Sequence, residues 1–244
     1  RSGSCSATQE GRGLFSFGGI QTGADSVSQG YLKLISDNTV KVKGGIFILT
    51  SEEVEELNLS IEEKHLIKKW YKNSDISTYY PEYNGQYWLI LSNFIKRIDD
   101  YPNIKKHLVK FRRVLEERAQ IEHCLDWWDL HQIRMKDKSK TGEIKRLIFE
   151  QEKIVVPQRS THNDFAHSDG EFYSSIDIYY ITKNSAVSFQ ESLKYLLALL
   201  NSKLLNFWCQ AKLKPKGTMR EYYATPLSQI PIRRINFDDP QEVK

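Results

Sequence analysis

Two short segments contain several side chains that could bind a ligand through charge and hydrogen bonds. The first segment contains Arg159, Thr161, His162 and Asn163, and the second contains Lys212, Lys214, Lys216, Thr218, Arg220 and Tyr222. Arginine and lysine suit guanine or phosphate, and asparagine suits adenine, so these residue types can recognise base edges and the DNA backbone. Pro215 and Gly217 cannot continue a helix, which predicts a hairpin-like turn that projects cations and rings.

Two further groups suggest metal or cofactor binding, but each has a structural explanation. The possible metal ligands are His162, Asp164, His167 and Asp169. Loop side chains of these types are commonly solvated, so we expect no metal site. The glycine-rich residues 18–23 lack the strand, helix and acidic partner of a dinucleotide site. We expect these glycines to permit tight turns, and we expect no cofactor in this chain.

The second of these binding segments, residues 212–222, follows a run of apolar residues with helical spacing. The residues that recur at intervals of three and four are Leu193, Leu196, Leu197, Leu200, Leu204 and Phe207. Such spacing places them on one face of a helix. Ser188 and Glu191 have the spacing of a capping box at its start. The pattern predicts one long core helix over residues 188–208, with the basic turn held at its end.

The first half of the chain predicts strands and short helices. Alternating residues predict an antiparallel meander over 31–35, 39–42 and 46–49, and a further strand over 87–91. Capping boxes at Thr50 with Glu53 and at Ser60 with Glu63 predict two short helices. In the second half, strands are predicted over 153–156 and 175–181.

Apolar residues with helical spacing run over residues 103–120 and predict a helix that begins after Pro102. Several lysines and arginines occupy the other faces of this helix. We expect a solvated face balanced by Glu116 and Glu117, and the alternative is a surface that follows phosphate groups.

Composition excludes several classes of protein. The chain has 244 residues, 40% of them hydrophobic, which is enough for a sizeable core, and a formal net charge of only +4. Its three cysteines are far apart and predict neither a zinc ribbon nor a disulfide scaffold. No apolar run reaches the roughly 18 residues of a membrane span, and the first residues lack the apolar core of a signal peptide. We expect a soluble, cytoplasmic chain without a membrane partner that begins inside a longer protein.

Five blocks occur in an order that resembles a known family. The blocks are Gly19–Asp25, Tyr71–Ile76, Tyr101–Ile104 with Leu115–Arg118, Leu199–Leu204, and Ile230–Ile232. Together they resemble the target-recognition domain of Taq-type adenine-N6 DNA methyltransferases and of type IIG restriction enzymes. The resemblance runs from about Leu14 to Ile235, and the second half is also similar to recognition domains of type I specificity subunits.

This resemblance implies sequence-specific recognition of double-stranded DNA, with Gln21 and Thr22 added to the candidate contacts. The catalytic region of such enzymes carries an Asn/Asp-Pro-Pro-aromatic motif, which residues 238–241 do not match. The chain is therefore expected to be non-catalytic. Its partners would be DNA and the catalytic methyltransferase region of a parent chain that uses S-adenosylmethionine, and magnesium if a nuclease is fused. Separate regions make sense because a pocket that holds a flipped base cannot also read the flanking pairs.

The expected fold is a mixed α+β, two-lobe recognition domain with β-sheets and a long core helix. The predicted divisions are a linker over 1–13, a β-rich lobe over 14–100, a connecting helix over 101–122, a specificity lobe over 123–235 and a tail over 236–244. One alternative function is a protein-interaction module in which the 103–120 helix packs on a partner.

A self-contained magnesium nuclease is the other alternative. Its carboxylates and lysine would come from residues 62–64, or from Asp126, Asp129, Glu143 and Lys145. A helix start and a polar loop explain the same residues without catalysis.

Overall fold

The computed structural model describes residues 14–119, 121–124, 126–131, 149–183 and 189–241. The strands are β1 (Leu14–Gly18), β2 (Ile48–Thr50), β3 (Ile67–Tyr71), β4 (Tyr87–Ile90), β5 (Lys153–Pro157), β6 (Arg159–Ser160), β7 (Ala166–Ser168), β8 (Tyr173–Ser174), β9 (Ile178–Lys183), β10 (Pro215–Lys216) and β11 (Met219–Glu221). The α-helices are α1 (Gln29–Leu32), α2 (Ser51–Glu56), α3 (Ile61–Lys64), α4 (Pro102–Val109), α5 (Arg112–Glu117), α6 (Leu193–Leu200), α7 (Lys203–Lys212) and α8 (Ala224–Ser228). The predicted linker over 1–13 lies outside the described residues.

The strands form three sheets that mix the two halves of the sequence. The central sheet has the antiparallel order β1-β9-β5-β7, so the first strand of the chain pairs with a strand from the second half. A second sheet has the order β2-β4-β3-β8, in which β3 and β8 are parallel. The third, which we call the small sheet, has the antiparallel order β10-β11-β6. Each half of the chain thus completes a sheet of the other.

The central sheet separates two hydrophobic cores. In β5, Val155 packs in the core built mainly from the first half, while Ile154 and Val156 pack in the core under α6 and α7. Successive side chains of a strand point to opposite faces, so a sheet buried on both sides needs a continuous apolar run. Each large side chain that is fully buried here contributes roughly 1.5–3 kcal/mol. This packing confirms the mixed α+β fold.

The two capping boxes predicted in the first half of the chain are confirmed. Thr50 and Glu53 cap α2, and Ser60 and Glu63 cap α3. The buried Glu63 carboxylate also accepts hydrogen bonds from the backbone amides of Asn103, at 2.7 Å, and Ile104, at 3.0 Å. It therefore satisfies free amides at the starts of two helices, which is a structural role and not that of a nuclease carboxylate.

The helix predicted over 103–120 is present as α4 and α5, with a break at Lys110 and Phe111. Its apolar stripe is buried in the first core. On the opposite face Arg112 pairs with Glu116, and Arg113 pairs with Glu117, each at 2.7 Å. The interpretation of a solvated, internally balanced face is confirmed for these residues.

The predicted meander is wrong in its first two strands. Residues 31–35 lie at the end of α1, which begins where the Ser28 side chain accepts a bond from the Tyr31 amide. Residues 39–42 form turns, and the Asp37 side chain binds the Thr39 amide at 2.9 Å. These local side-chain bonds compete with strand pairing and prevail over the alternating pattern. The strands predicted near residues 46–49 and 87–91 are present as β2 and β4.

The prediction of one long core helix is also wrong, because two separate helices, α6 and α7, take its place. Ser188 lies outside the described residues, and α6 is instead capped by Ser192. A second cap at Ser202 starts α7, where its side chain accepts a bond from the Leu205 amide at 3.2 Å. The break leaves Leu204 and Phe207 in solvent, 74% and 73% exposed. In the described part of the chain, no helix is long and apolar enough to cross a membrane.

Candidate nucleic-acid interface

The small sheet brings the two predicted binding segments together. Arg220 in β11 lies opposite Ser160 in β6, and Glu221 lies opposite Arg159. The pairing continues where the Tyr222 amide donates to the Gln158 carbonyl at 2.8 Å. Segments that are far apart in the sequence therefore lie on neighbouring strands of one surface sheet, with Arg159 and Glu221 on one face and Ser160 and Arg220 on the other.

A tight hairpin extends this surface into solvent. Pro215 pairs with Arg220 and Lys216 pairs with Met219, which leaves Gly217 and Thr218 as a two-residue loop. Gly217 has a φ of +61°, as expected for the first loop residue of a type II′ turn. No atom lies within 4 Å of the place where a Gly217 side chain would begin. The predicted hairpin-like turn is confirmed, and its tip is open.

The cations of the hairpin surface differ in how firmly they are held. Lys212, Lys214, Lys216 and Thr218 are exposed. Arg220 is half-buried, and its Nε donates to the Gln210 carbonyl at 3.0 Å while Nη1 donates to the Met219 carbonyl at 3.1 Å. Arg220 is thereby fixed against the last turn of α7, whereas the lysine side chains extend into solvent.

A buried carboxylate orients Arg159. The Glu221 side chain is 8% exposed and lies 3.5 Å from Arg159 Nε and 3.9 Å from Lys214 Nζ. Arg159 also donates from Nη2 to the Tyr223 hydroxyl at 3.1 Å, and this bond raises the pKa of the guanidinium. A guanidinium has five N–H donors, so these contacts leave donors directed at solvent.

Asp164 connects the first binding segment to the rest of the molecule. Its carboxylate accepts hydrogen bonds from the hydroxyls of Ser160 and of Thr78, the latter at 3.1 Å, and lies 2.8 Å from His162 Nε2. The Thr161 hydroxyl lies 3.0 Å from His162 Nδ1, and its carbonyl accepts a bond from Gln210 at 2.8 Å. Thr161 and His162 are exposed but anchored.

The possible metal ligands are not gathered in one place. His162 pairs with Asp164, whereas His167 pairs with Glu152 at 2.9 Å. Among the residues that the structure describes, no three histidine, cysteine or carboxylate side chains form a group that could hold a metal ion. Of the alternative nuclease residues, Glu143 and Lys145 lie outside the described ranges.

Two residues expected at the interface are buried beneath it. The Tyr222 hydroxyl donates to Asn163 Oδ1 at 2.8 Å, and Asn163 Nδ2 donates to the Leu200 carbonyl at 2.6 Å. Burial raises the pKa of Tyr222 above its ordinary value. Neither side chain is exposed to a ligand, so we correct their assignment from base contacts to supports that fix the loop and the hairpin.

Thr22 is also unsuited to direct contact. It is buried, its hydroxyl bonds to Asp25 and accepts from the Ala24 amide at 3.2 Å, and its carbonyl accepts from the His131 amide at 3.0 Å. Gln21 is half-buried beside the bridge between Ile20 and Ser175. These bonds build a turn, and the contact assignment of Thr22 is corrected accordingly.

The glycines in this region have packing roles. A side chain on Gly19 would begin 2.4 Å from the carbonyl oxygens of Ser174 and Ser175. Gly23 has a φ of +81°. The interpretation that these glycines permit close approach and tight turns is confirmed.

Sequence reasoning missed the residues that assemble the surface. Gln210, Glu221 and Tyr223 hold the candidate contacts through bonds described above. Their partners are remote in the sequence, and no short spacing marks them. Ser160 is a partial exception, because it lies between Arg159 and Thr161 and so falls within the first predicted binding segment.

With this geometry established, comparison with known proteins places the chain in a family. It matches the TaqI-like C-terminal specificity domain over residues 47–232. The match covers most of the chain, which therefore belongs to that family. The family is the one that the five ordered sequence blocks resemble.

Relatives in two organisms are type II methyltransferases. M.HincII of Haemophilus influenzae is 29% identical over 161 residues, which cover 65% of this chain and 31% of that protein. M.MjaIV of Methanocaldococcus jannaschii is 28% identical over 203 residues, which cover 81% of this chain and 64% of that protein. The chain thus spans about a third of M.HincII and somewhat less than two thirds of M.MjaIV.

Two solved structures share the fold. The type IIL restriction-modification enzyme MmeI, determined in complex with DNA, aligns with a TM-score of 0.56 and 13% identity over 86% of this chain and 23% of its own. The type IIG restriction endonuclease BpuSI aligns with a TM-score of 0.52 and 12% identity over 95% of this chain and 24% of its own. Both similarities concern the fold alone.

Proposed function

We propose that this chain recognises a specific sequence in double-stranded DNA on behalf of a type II adenine-N6 methyltransferase or restriction-modification enzyme. The observation that carries the proposal is the small sheet, which joins the strand of Arg159 to a solvent-exposed basic hairpin. By its register, Arg159 and Lys216 lie on one face of this sheet and Arg220 lies on the other. Membership of a specificity-domain family supports the same function. The relatives' own names support a methyltransferase as the longer protein.

The candidate contacts divide into two kinds. Lys212, Lys214 and Lys216 are exposed, and they bind phosphate groups. Arg159, His162, Thr218 and Arg220 are held by hydrogen bonds or by the hairpin, and they contact base edges, since readout requires donors in fixed places. Gln21, half-buried next to the bridge between Ile20 and Ser175, is a further candidate contact.

Methyl transfer belongs to the catalytic region of the longer protein. That region binds S-adenosylmethionine, and a fused nuclease, where there is one, uses magnesium. This chain contributes the choice of DNA sequence. A flipped adenine and the pairs that flank it are then held by separate parts of one enzyme.

The exposed face of α7 favours a second function, contact with that catalytic region. Leu204 and Phe207 are about one helical turn apart in α7 and are largely exposed. The alternative partner surface on the 103–120 helix has less support, because its stripe residues Ile104, Leu108 and Phe111 are buried within the chain itself.

A salt titration with matched variants tests DNA recognition. The affinity of the chain for duplex DNA should fall with log salt by about 0.9 per phosphate contact. A Lys214→Ala, Lys216→Ala double variant should weaken binding and lower the slope by about 1.8. The control replaces Lys106 and Lys110, which are exposed on and just after α4. Equal losses in the two double variants, or no salt-dependent binding by the wild type, would contradict the proposal.

A further inference from the structure

Two consecutive tyrosine rings stand in solvent at the edge of the central sheet. Tyr79 is 50% exposed and Tyr80 is 55% exposed. The nearby Tyr71 ring, by contrast, stacks on Phe172 with the ring centroids 4.1 Å apart. Large aromatic side chains normally bury most of their surface, so a pair left open is available to a ligand.

The backbone of Tyr79 is held in a costly conformation. Its φ of +84° lies in the left-handed region, which a bulky side chain rarely adopts. Two hydrogen bonds keep it there: the Tyr79 amide donates to the Phe165 carbonyl at 2.8 Å, and the His167 amide donates to the Tyr79 carbonyl at 2.9 Å. Strain that the surroundings maintain occurs preferentially at functional sites. The ring is presented from a rigid support.

Tyr80 is restricted as well. Its carbonyl accepts a hydrogen bond from the Ser77 amide at 3.2 Å, and Ile76 forms a bridge with Pro81 below the loop. The proline that follows confines the Tyr80 backbone to extended conformations. The backbone that carries both rings is therefore restrained at Tyr79 and at Tyr80.

This loop is joined to the candidate nucleic-acid interface by hydrogen bonds. The Thr78 hydroxyl donates to Asp164, and the same carboxylate binds Ser160 of the small sheet and His162 of the first binding segment. The loop that carries the aromatic rings is thus connected, through Thr78 and Asp164, to the candidate nucleic-acid interface. A ligand that combines negative charge with flat apolar rings matches both parts.

Nucleic acid has that chemistry in its phosphates and its bases, and aromatic side chains stack on the bases regardless of sequence. In an intact duplex the faces of the bases are covered by their neighbours, so stacking requires that the stack be opened. Methylation of a base requires such an opening. We propose that Tyr79 and Tyr80 form a stacking platform for a base exposed where the DNA stack opens next to the recognised sequence. This inference rests on the proposed function.

The test compares two duplexes that differ at one place. One is fully paired, and the other carries a single bulged adenine, replaced in a parallel sample by a fluorescent adenine analogue. The whole chain should bind the bulged duplex more tightly, and the analogue's fluorescence should be quenched by stacking. Tyr80→Leu should lose about tenfold in affinity for the bulged duplex while affinity for the paired duplex stays nearly constant. Tyr80→Phe should retain both affinities, because stacking needs the ring and not the hydroxyl.

Two further variants guard against loss of the fold. Tyr79→Gly removes the ring and also relieves the positive φ, so it should melt cooperatively and still lose the preference for the bulged duplex. Phe237→Leu removes a ring that is 42% exposed in the C-terminal segment and should leave both affinities unchanged.

The possible outcomes separate this inference from the proposed function. If the tyrosine variants bind both duplexes as the wild type does, the platform is excluded while DNA recognition stands. If the wild type binds the paired duplex and gains nothing from the bulge, the platform is again excluded. If neither duplex is bound in low salt, the proposed function fails and the platform fails with it.

Discussion

The Tyr222 hydroxyl donates a 2.8 Å hydrogen bond to Asn163 Oδ1, and both side chains are buried directly beneath the candidate interface. Tyr222 follows the hairpin, whereas Asn163 ends the first binding segment. Asn163 continues the connection to α6 through the Leu200 carbonyl. The pair therefore fixes the relative position of the two binding segments without reaching DNA itself.

Tyr222→Phe should reduce stability more than DNA affinity. The variant leaves Asn163 Oδ1 buried without its donor, which costs about 1–3 kcal/mol. Urea unfolding measures this cost, and binding to duplex DNA is measured below the unfolding transition. Tyr195→Phe is the control, because it removes a hydroxyl bonded to the Arg233 carbonyl at an exposed site. Unchanged stability with a large loss of affinity would show that Tyr222 touches the DNA.

Alanine substitutions at Arg220 and at Lys212 should affect DNA binding in different ways. Arg220 is fixed by two carbonyl bonds, so Arg220→Ala should relax the preference at one base pair by about 1–3 kcal/mol. Lys212→Ala should weaken binding to all sequences alike and reduce the salt slope by about 0.9. Sequencing of duplexes selected from a random pool measures the preference.

Met219→Ala, a change on the same strand as Arg220, is the control for that experiment. It should retain the wild-type preference. A uniform loss of affinity after Arg220→Ala would assign Arg220 to the DNA backbone, and an unaltered preference would remove it from the interface.

Gly217, in the hairpin turn, and Gly85 allow the effect of backbone strain to be compared at two positions. Gly217 and Gly85 have φ values of +61° and +79°, and neither has an atom within 4 Å of a would-be side chain. Alanine at either position should cost roughly 1–2 kcal/mol, because the left-handed conformation is unfavourable for it. Only Gly217→Ala should also weaken DNA binding, since it distorts the hairpin that carries Lys216.

Thermal melting and a binding titration measure these two effects. Gly170→Ala serves as the reference, because Gly170 likewise has open space around it and lacks a positive φ. Equal loss of DNA affinity from the Gly85 and Gly217 changes would mean that general destabilisation, and not the hairpin, governs binding.

The sequence predicts those parts of the fold that depend on contacts between residues close together in the chain. The capping pairs Thr50 with Glu53 and Ser60 with Glu63 lie three residues apart, so their spacing is visible without the structure. The hairpin at Gly217 is similarly local. The pairing of Arg220 with Ser160 is not, because it depends on how the two halves pack against the central sheet.

Near the candidate site, the helix predicted from hydrophobic periodicity is wrong where local hydrogen bonds interrupt it. Leu204 continues the leucine spacing of α6, yet it is exposed because Ser202 begins a new helix. Asn201 stabilises the break: its side chain donates to the Phe165 carbonyl at 2.8 Å and accepts from the Phe165 amide at 3.1 Å. Phe165 lies just before β7 and is remote from Asn201 in the sequence, so only the folded chain reveals why the helix stops.

His107 should make the first core sensitive to acid. It is buried in α4, where its Nε2 lies 2.9 Å from the Ile46 carbonyl. Burial lowers its pKa from 6.5 to about 4, and the charge of Lys110 acts in the same direction. The unfolded chain binds a proton below pH 6.5 that the folded chain does not accept until about pH 4. His107 therefore contributes fully to stability above pH 6.5, and the contribution falls by about 3 kcal/mol as the pH drops to 4.

Urea unfolding at a series of pH values measures this loss in the wild type and in His107→Gln. Glutamine can donate to the Ile46 carbonyl but does not titrate, so the variant should lack the portion of the pH dependence between 6.5 and 4. His65→Gln, a change at an exposed histidine, should keep the wild-type profile. If His107→Gln and the wild type lose stability in parallel over this range, the acid sensitivity arises from carboxylates such as Glu63 and His107 is not its source.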